Sequence, residues 1–137
     1  MRLFLDSSAF AKHFIEEPGS AQVESLISSA DELCLSAICL PEIVSALSRR
    51  CREKSMTRKQ YALAKQRLVQ DVRDAIVVEI TPDVVQLSIE VLEKNSVRTL
   101  DAIHVACALA SGADLFASSD HRQIAAARRA KIKTKTI

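Results

Sequence analysis

The chain contains no tryptophan, only two glycines and three prolines, and aromatic residues make up just 4% of it. Its core must therefore be aliphatic, and a stacking platform for single-stranded bases, which needs aromatic faces, is disfavoured. So few glycines and prolines leave little room for long loops or linkers. Internal repeats and low-complexity segments are absent. No apolar run approaches the roughly 18 residues of a membrane-crossing helix, and no basic segment leads into a long apolar stretch at the N-terminus. The cysteines Cys34, Cys39, Cys51 and Cys107 show no Cys-x-x-Cys spacing and no accompanying histidine cluster. Cys34, Cys51 and Cys107 fall within apolar patterns and read as small buried hydrophobes, not as zinc ligands or disulfide partners. These absences fit a soluble protein of a reducing, cytoplasmic compartment.

What is present is ordinary globular material: 137 residues, 48% hydrophobic and 26% charged. That is the size of one domain, able to bury roughly two thirds of its unfolded surface. The net charge of +2 does not by itself point to nucleic acid, but its distribution is uneven. Between His121 and Ile137 stand six basic residues and no acid, and between Arg49 and Arg67 eight Lys or Arg face Glu53 alone. Segregated positive charge can follow a phosphate backbone, or can be a solvated helix face.

Strand and helix patterns alternate. Strands are expected at Arg2–Asp6, Leu33–Ser36, Ile76–Ile80, Asp114–Ser118 and, as an edge with alternating lysines, Ile132–Ile137. Between them come helices. A short one runs from Ser8 to Ile15, and a second begins after Glu17-Pro18-Gly19 with Ser20 as its cap. A third carries Leu40, Ile43, Val44, Leu47 and Cys51 at helical spacing with Pro41 in its first turn. Thr57 caps a fourth, Thr81-Pro82 opens a fifth that runs to Lys94, and Thr99 caps Leu100–Ala110, stopped near Gly112. A last helix spans His121–Ala130. Repeated strand–helix units predict an α/β fold, a central parallel sheet of about five strands flanked by helices.

Four acids occupy the junctions of this pattern. Asp6 ends the first strand and Asp120 follows the fourth, while Glu42 and Asp101 lie in first turns of helices. In open α/β sheets such points converge at the carboxyl edge, where ligands bind. Each acid also has an ordinary reading. Asp6 and Asp120 can simply cap the next helix. Glu42 lies nearly opposite the Leu40, Val44 and Leu47 stripe, as a solvated acid near a helix N-terminus would. Asp101 is harder to dismiss, because Leu100–Ala110 is apolar almost all round and a carboxylate there needs a cap, a partner or a metal. His104, three residues on, could be that partner.

The flanking residues resemble the PIN-domain nucleases, in particular the VapC-type toxins of toxin–antitoxin pairs. Leu5-Asp6-Ser7-Ser8-Ala9-Phe10-Ala11-Lys12 looks like that family's opening, and Leu40-Pro41-Glu42-Ile43-Val44-Ser45-Ala46-Leu47 like its second acidic motif. Thr99-Leu100-Asp101-Ala102-Ile103-His104-Val105-Ala106 resembles the third, and Ser118-Ser119-Asp120 the fourth. Nearly the whole chain is covered, in the expected order. The resemblance implies a single PIN-like domain over residues 1–137 and a Mg²⁺- or Mn²⁺-dependent endoribonuclease that leaves a 5′-phosphate and a 3′-hydroxyl. Asp6, Glu42, Asp101 and Asp120 would form its acidic metal cluster, with Ser118 and Ser8 in support. It further implies an RNA substrate, for which Arg49, Arg50, Arg52 and Arg98 are candidate contacts, a cognate antitoxin and a homodimer. Crowded carboxylates should repel and raise some of their own pKa values. Phosphoryl-acceptor sites fit poorly: one type wants a second Asp at position 8, where Ser stands, and the other wants neighbouring acids at the first strand. A non-catalytic PIN-like module that binds RNA or protein is the remaining alternative.

Overall fold

A computed structural model describes residues 1–137. Five strands form one fully parallel sheet: β1 (Arg2–Leu5), β2 (Glu32–Ser36), β3 (Ile76–Val78), β4 (Leu115–Ser118) and β5 (Lys133–Thr136), in the order β3-β2-β1-β4-β5. Seven α-helices cover it: α1 (Ser7–Phe10), α2 (Ser20–Ser29), α3 (Cys39–Arg52), α4 (Arg58–Asp74), α5 (Pro82–Lys94), α6 (Thr99–Ser111) and α7 (His121–Arg129). A short 3-10 turn at Ala11–His13 extends α1. None of these helices is long and apolar enough to cross a membrane.

Strand alternation divides the core in two. Leu3 and Leu5 of β1 point with Leu35 and Ala117 toward α1–α4, packing on Phe10, Val23, Ile43, Leu47 and Leu68. Phe4, Cys34 and Phe116 point to the opposite face, against α5–α7. Phe4 and Phe116 stack at 5.7 Å between ring centroids. Leu3, Phe4 and Leu5 are fully buried. At roughly 1.5–3 kcal/mol each, they offset a cost on the order of several kcal/mol for the charge that follows them at Asp6. Cys34 and Cys107 are buried thiols as expected of small hydrophobes, and Cys39 is buried too, whereas Cys51, expected to be buried with the first two, is only half-buried.

Local signals place most boundaries. Thr57 and Gln60 form a reciprocal capping box at α4, Thr57 Oγ1 accepting from the Gln60 N–H at 3.1 Å and Gln60 Oε1 accepting from the Thr57 N–H at 2.8 Å. Thr57→Ala should therefore lower the unfolding free energy by about 1 kcal/mol in urea titration. An unchanged midpoint would mean that the helix start is set by packing alone.

Two expected caps are corrected. Ser20 is the first helical residue of α2, not its cap; Gly19 holds that position at φ +97°. A Cβ on Gly19 would meet Ile137 Cγ2 at 2.8 Å, so the position is restricted by space as well as by backbone. Ser20 Oγ instead accepts from the Glu17 N–H at 3.0 Å and closes the preceding turn. At α6 the cap is Arg98, with Thr99 already helical and no side-chain cap bond. This earlier start makes Asp101 the third helical residue. The third and fifth strands are also shorter than expected, and β5 is an edge whose lysines face solvent.

Candidate active site

The sheet winds outward from β1 through β2 to β3, then returns to the other side of β1 for β4 and β5. The carboxyl ends of β1 and β4 thus flank the point where winding reverses, the usual crevice of an open α/β sheet. Asp6 leaves β1 there, and Ser118-Ser119-Asp120 leaves β4.

Asp6 is 1% exposed and does two things at once. Its Oδ1 accepts from the Ala9 N–H at 2.9 Å, capping α1. Its Oδ2 accepts from Ser118 Oγ at 2.8 Å, and Ser8 Oγ lies 2.9 and 2.8 Å from its two oxygens. Burial pushes its carboxyl above the ordinary range, against the pull of these hydrogen bonds. Ser118 Oγ also accepts from the Asp120 N–H at 2.9 Å, and Ser8 Oγ from the Ser119 N–H at 3.1 Å. Two serines thus rivet the end of β1 to the end of β4.

The other acids arrive from helix starts. Asp120 caps α7, its Oδ1 accepting from the N–H groups of Arg122 and Gln123 at 2.7 and 3.2 Å. Asp101 Oδ1 accepts from the Gln123 amide at 2.9 Å. Burial raises the Asp101 carboxyl, and the charges of Asp120 and Glu42 raise it further. That is the expected mutual repulsion, seen at one acid. Glu42 is half-buried, not solvated as its helical phase predicted. Its Oε1 accepts from Ser7 Oγ at 2.7 Å and from His104 Nε2 at 2.6 Å. Burial works against its charge, but these two donors prevail and hold its pKa below the ordinary value.

The PIN domain profile matches residues 3–129. The chain belongs to the PIN-domain family. Ribonuclease VapC45 of Mycobacterium tuberculosis is 30% identical over 110 residues, spanning 80% of this chain and 76% of that protein. Among solved structures, the sarcin-ricin loop cleaving toxin VapC20 of the same species superposes with a TM-score of 0.69 at 20% identity, covering 90% of this chain and 94% of that one. A toxin–antitoxin complex from Klebsiella pneumoniae gives a TM-score of 0.68 at 15% identity, with 90% of each chain covered. At those identities the two superpositions speak for the fold.

In this PIN domain, Glu42, Asp101 and Asp120 line one cavity of about 1000 Å³ together with Ser8, Ser119, Arg98 and Arg122. Leu100 is its single hydrophobic wall, which is unlike a small-molecule pocket. Asp6 and Ser118 are buried and do not line this cavity, and Ser8, which does, hydrogen-bonds to Asp6. A second cavity of about 600 Å³ shares Ser8 and Ser119 with the first and is lined by Lys12, Arg49 and Arg50, beside Glu17 and Glu53. Arg52 is exposed and lines neither. Arg67, from the same basic stretch, is occupied elsewhere, over the Phe14 ring and beside Asp71 and Glu24.

No three His, Cys, Asp or Glu side chains stand close enough to hold a metal ion as they are. Each acid has partners of its own instead: hydroxyls and an N–H at Asp6, a hydroxyl and the His104 ring at Glu42, an amide at Asp101, helix N–H groups at Asp120. The donor set itself, carboxylates without sulfur, suits a hard divalent cation.

Sequence reasoning missed Ser7, Gln123, Arg122 and Lys12, and looked for His104 at Asp101, not at Glu42. Gln123 had a signal. It stands three residues after Asp120 at capping-box spacing, yet its amide reaches Asp101 instead of turning back to the cap.

Proposed function

We propose that the chain is a Mg²⁺- or Mn²⁺-dependent endoribonuclease, residues 1–137 acting as one nuclease domain, and that it is the toxin of a cytoplasmic toxin–antitoxin pair. The observation that carries this reading is the meeting of Glu42, Asp101 and Asp120 in one polar cavity, close enough for Asp101 to feel the charge of the other two. Relatives named ribonucleases support the substrate class.

In this reading Asp6, Glu42, Asp101 and Asp120 hold the cation, which when bound supplies a Lewis acid for the phosphate and acidifies water for attack. Ser8 and Ser118 keep Asp6 fixed. Arg98 and Arg122, on the rim of the acidic cavity, offset phosphate charge on one side. Lys12, Arg49 and Arg50 receive the backbone on the other side of Ser8 and Ser119. Val85 and Ile89, one turn apart on α5 and 45% and 41% exposed, offer an apolar face for a second copy. A likeness to a toxin–antitoxin complex supports an antitoxin partner.

The test is RNA binding and cleavage by the purified chain. Single-stranded RNA should be cut in a divalent buffer and bound with a salt-dependent affinity. Each phosphate contact adds about 0.7 to the slope of log affinity against log salt, so Arg49→Ala with Arg50→Ala should flatten it by about 1.4. Arg52→Ala should change it least. Uncut RNA with intact binding would favour the non-catalytic module, and an unaltered slope would return these arginines to solvated surface.

A further inference from the structure

The geometry points to His104 as the positioning residue for Glu42, a brace that ties the two helical layers together at the carboxyl edge of the sheet. Glu42 belongs to α3, which packs on one face, and His104 to α6, which packs on the other. The bond between them, 2.6 Å from Nε2 to Oε1, joins residues 62 apart. It reaches around the end of β1, where Asp6 sits.

Three observations make His104 a brace and not a filler of the core. The ring is 1% exposed, yet its Nδ1 has no hydrogen-bond partner, so Nε2 is its only polar anchor. Its orientation is fixed by Phe4, whose ring meets it edge-on at 6.4 Å. Its bond and that of Ser7 both fall on Oε1 of Glu42. Oε2 is thereby left without a partner on the cavity side, as a cation ligand needs. His104 also shares its helix with Asp101, one turn earlier. The brace therefore fixes the spacing of two acids that come from helices on opposite faces. Outer partners of this kind orient ligands and tune what they hold.

This inference rests on the cation site proposed above, and its test separates the two. Mn²⁺ binding is measured by calorimetry, with melting curves, for the wild type and for Asp101→Asn, His104→Leu, His104→Gln and His104→Asn. Wild-type binding that is lost in Asp101→Asn establishes the site. His104→Leu should then weaken Mn²⁺ about 10- to 100-fold. His104→Gln, whose amide nitrogen reaches the Nε2 position, should recover most of the loss, and His104→Asn, whose amide reaches only the Nδ1 position, should not. Wild-type affinity in His104→Leu would overturn the brace. If His104→Leu does not fold, the Gln and Asn variants decide, and equal affinities for those two would overturn it. If the wild type binds no Mn²⁺, the cation reading fails, and ring ¹⁵N spectra of the metal-free protein judge the brace alone. A proton on Nε2 that becomes freely exchanging in Glu42→Ala supports it; an unprotonated Nε2 overturns it.

Discussion

Asp101→Asn should abolish RNA cleavage while leaving the protein folded. Loss of an outer partner of a metal ligand already costs roughly 10- to 100-fold, so loss of a ligand should exceed about 100-fold. The substitution keeps the shape and leaves an amide oxygen to accept from Gln123. It also removes a charge that burial and the neighbouring Asp120 and Glu42 disfavour. The melting temperature without divalent cation should therefore hold or rise. The same holds for Asp6→Asn, where the surrounding serine hydroxyls can turn to accept from the new amide. Wild-type cleavage by either variant would sink the proposed site, and a collapsed melting curve would show that the acid was structural.

Excess chelator should stop cleavage entirely, and Mn²⁺ should protect the fold. A ligand at about 100 times its Kd adds about 2.7 kcal/mol, worth roughly 5–10 °C for a chain of this size. The protection should shrink as pH falls. Asp6 and Asp101 both titrate above the ordinary range, burial being the first cause in each. For a carboxyl raised in the folded state, the stabilisation it gives is fully present below its unfolded pKa and lost as pH rises through its folded pKa. Without cation, then, these two groups favour the fold toward acid and disfavour it toward neutral pH. The cation competes with the same protons. The two melting curves should accordingly converge on acidification from neutral pH. Full activity in chelator, or a temperature difference that is constant with pH, would exclude the four-carboxylate site.

The element order was legible because it rests on local signals: period-two apolar runs for the strands, Thr57 and Thr81-Pro82 for helix starts, Gly112 for a stop. The family was legible from short motifs around the four acids. Misreadings occurred where another contact or backbone preference, near in the chain or far along it, outranked the expected one. Ser20 has the chemistry of a cap, but the turn before it claims the hydroxyl and Gly19 takes the left-handed backbone. Thr99 could have capped α6, but the helix begins one residue earlier. Glu42 is the instructive case. Its helical phase alone predicts solvent, and what draws it in is a hydrogen bond from a residue 62 positions later. Periodicity within α3 carries no trace of that partner. The same limit applies to Gln123, whose buried amide serves an acid on another helix.

The serine rivets have a consequence for how the molecule is made. Ser118 reaches Asp6 across 112 residues of chain, and β1 gains one of its two neighbouring strands only when β4 arrives. A nascent chain emerges from its first residue, and contacts this distant in sequence form late. Until Ser118 and Ser119 have been synthesised and docked, Asp6 has only the hydroxyl of nearby Ser8 and lacks that of Ser118, and the cavity lacks a wall. A prematurely terminated product would leave β1 as an open edge with nothing assembled beyond it. If the proposed nuclease reading holds, a copy that stops before Ser118 should be inert, which would set a delay between translation and activity independent of any inhibitor.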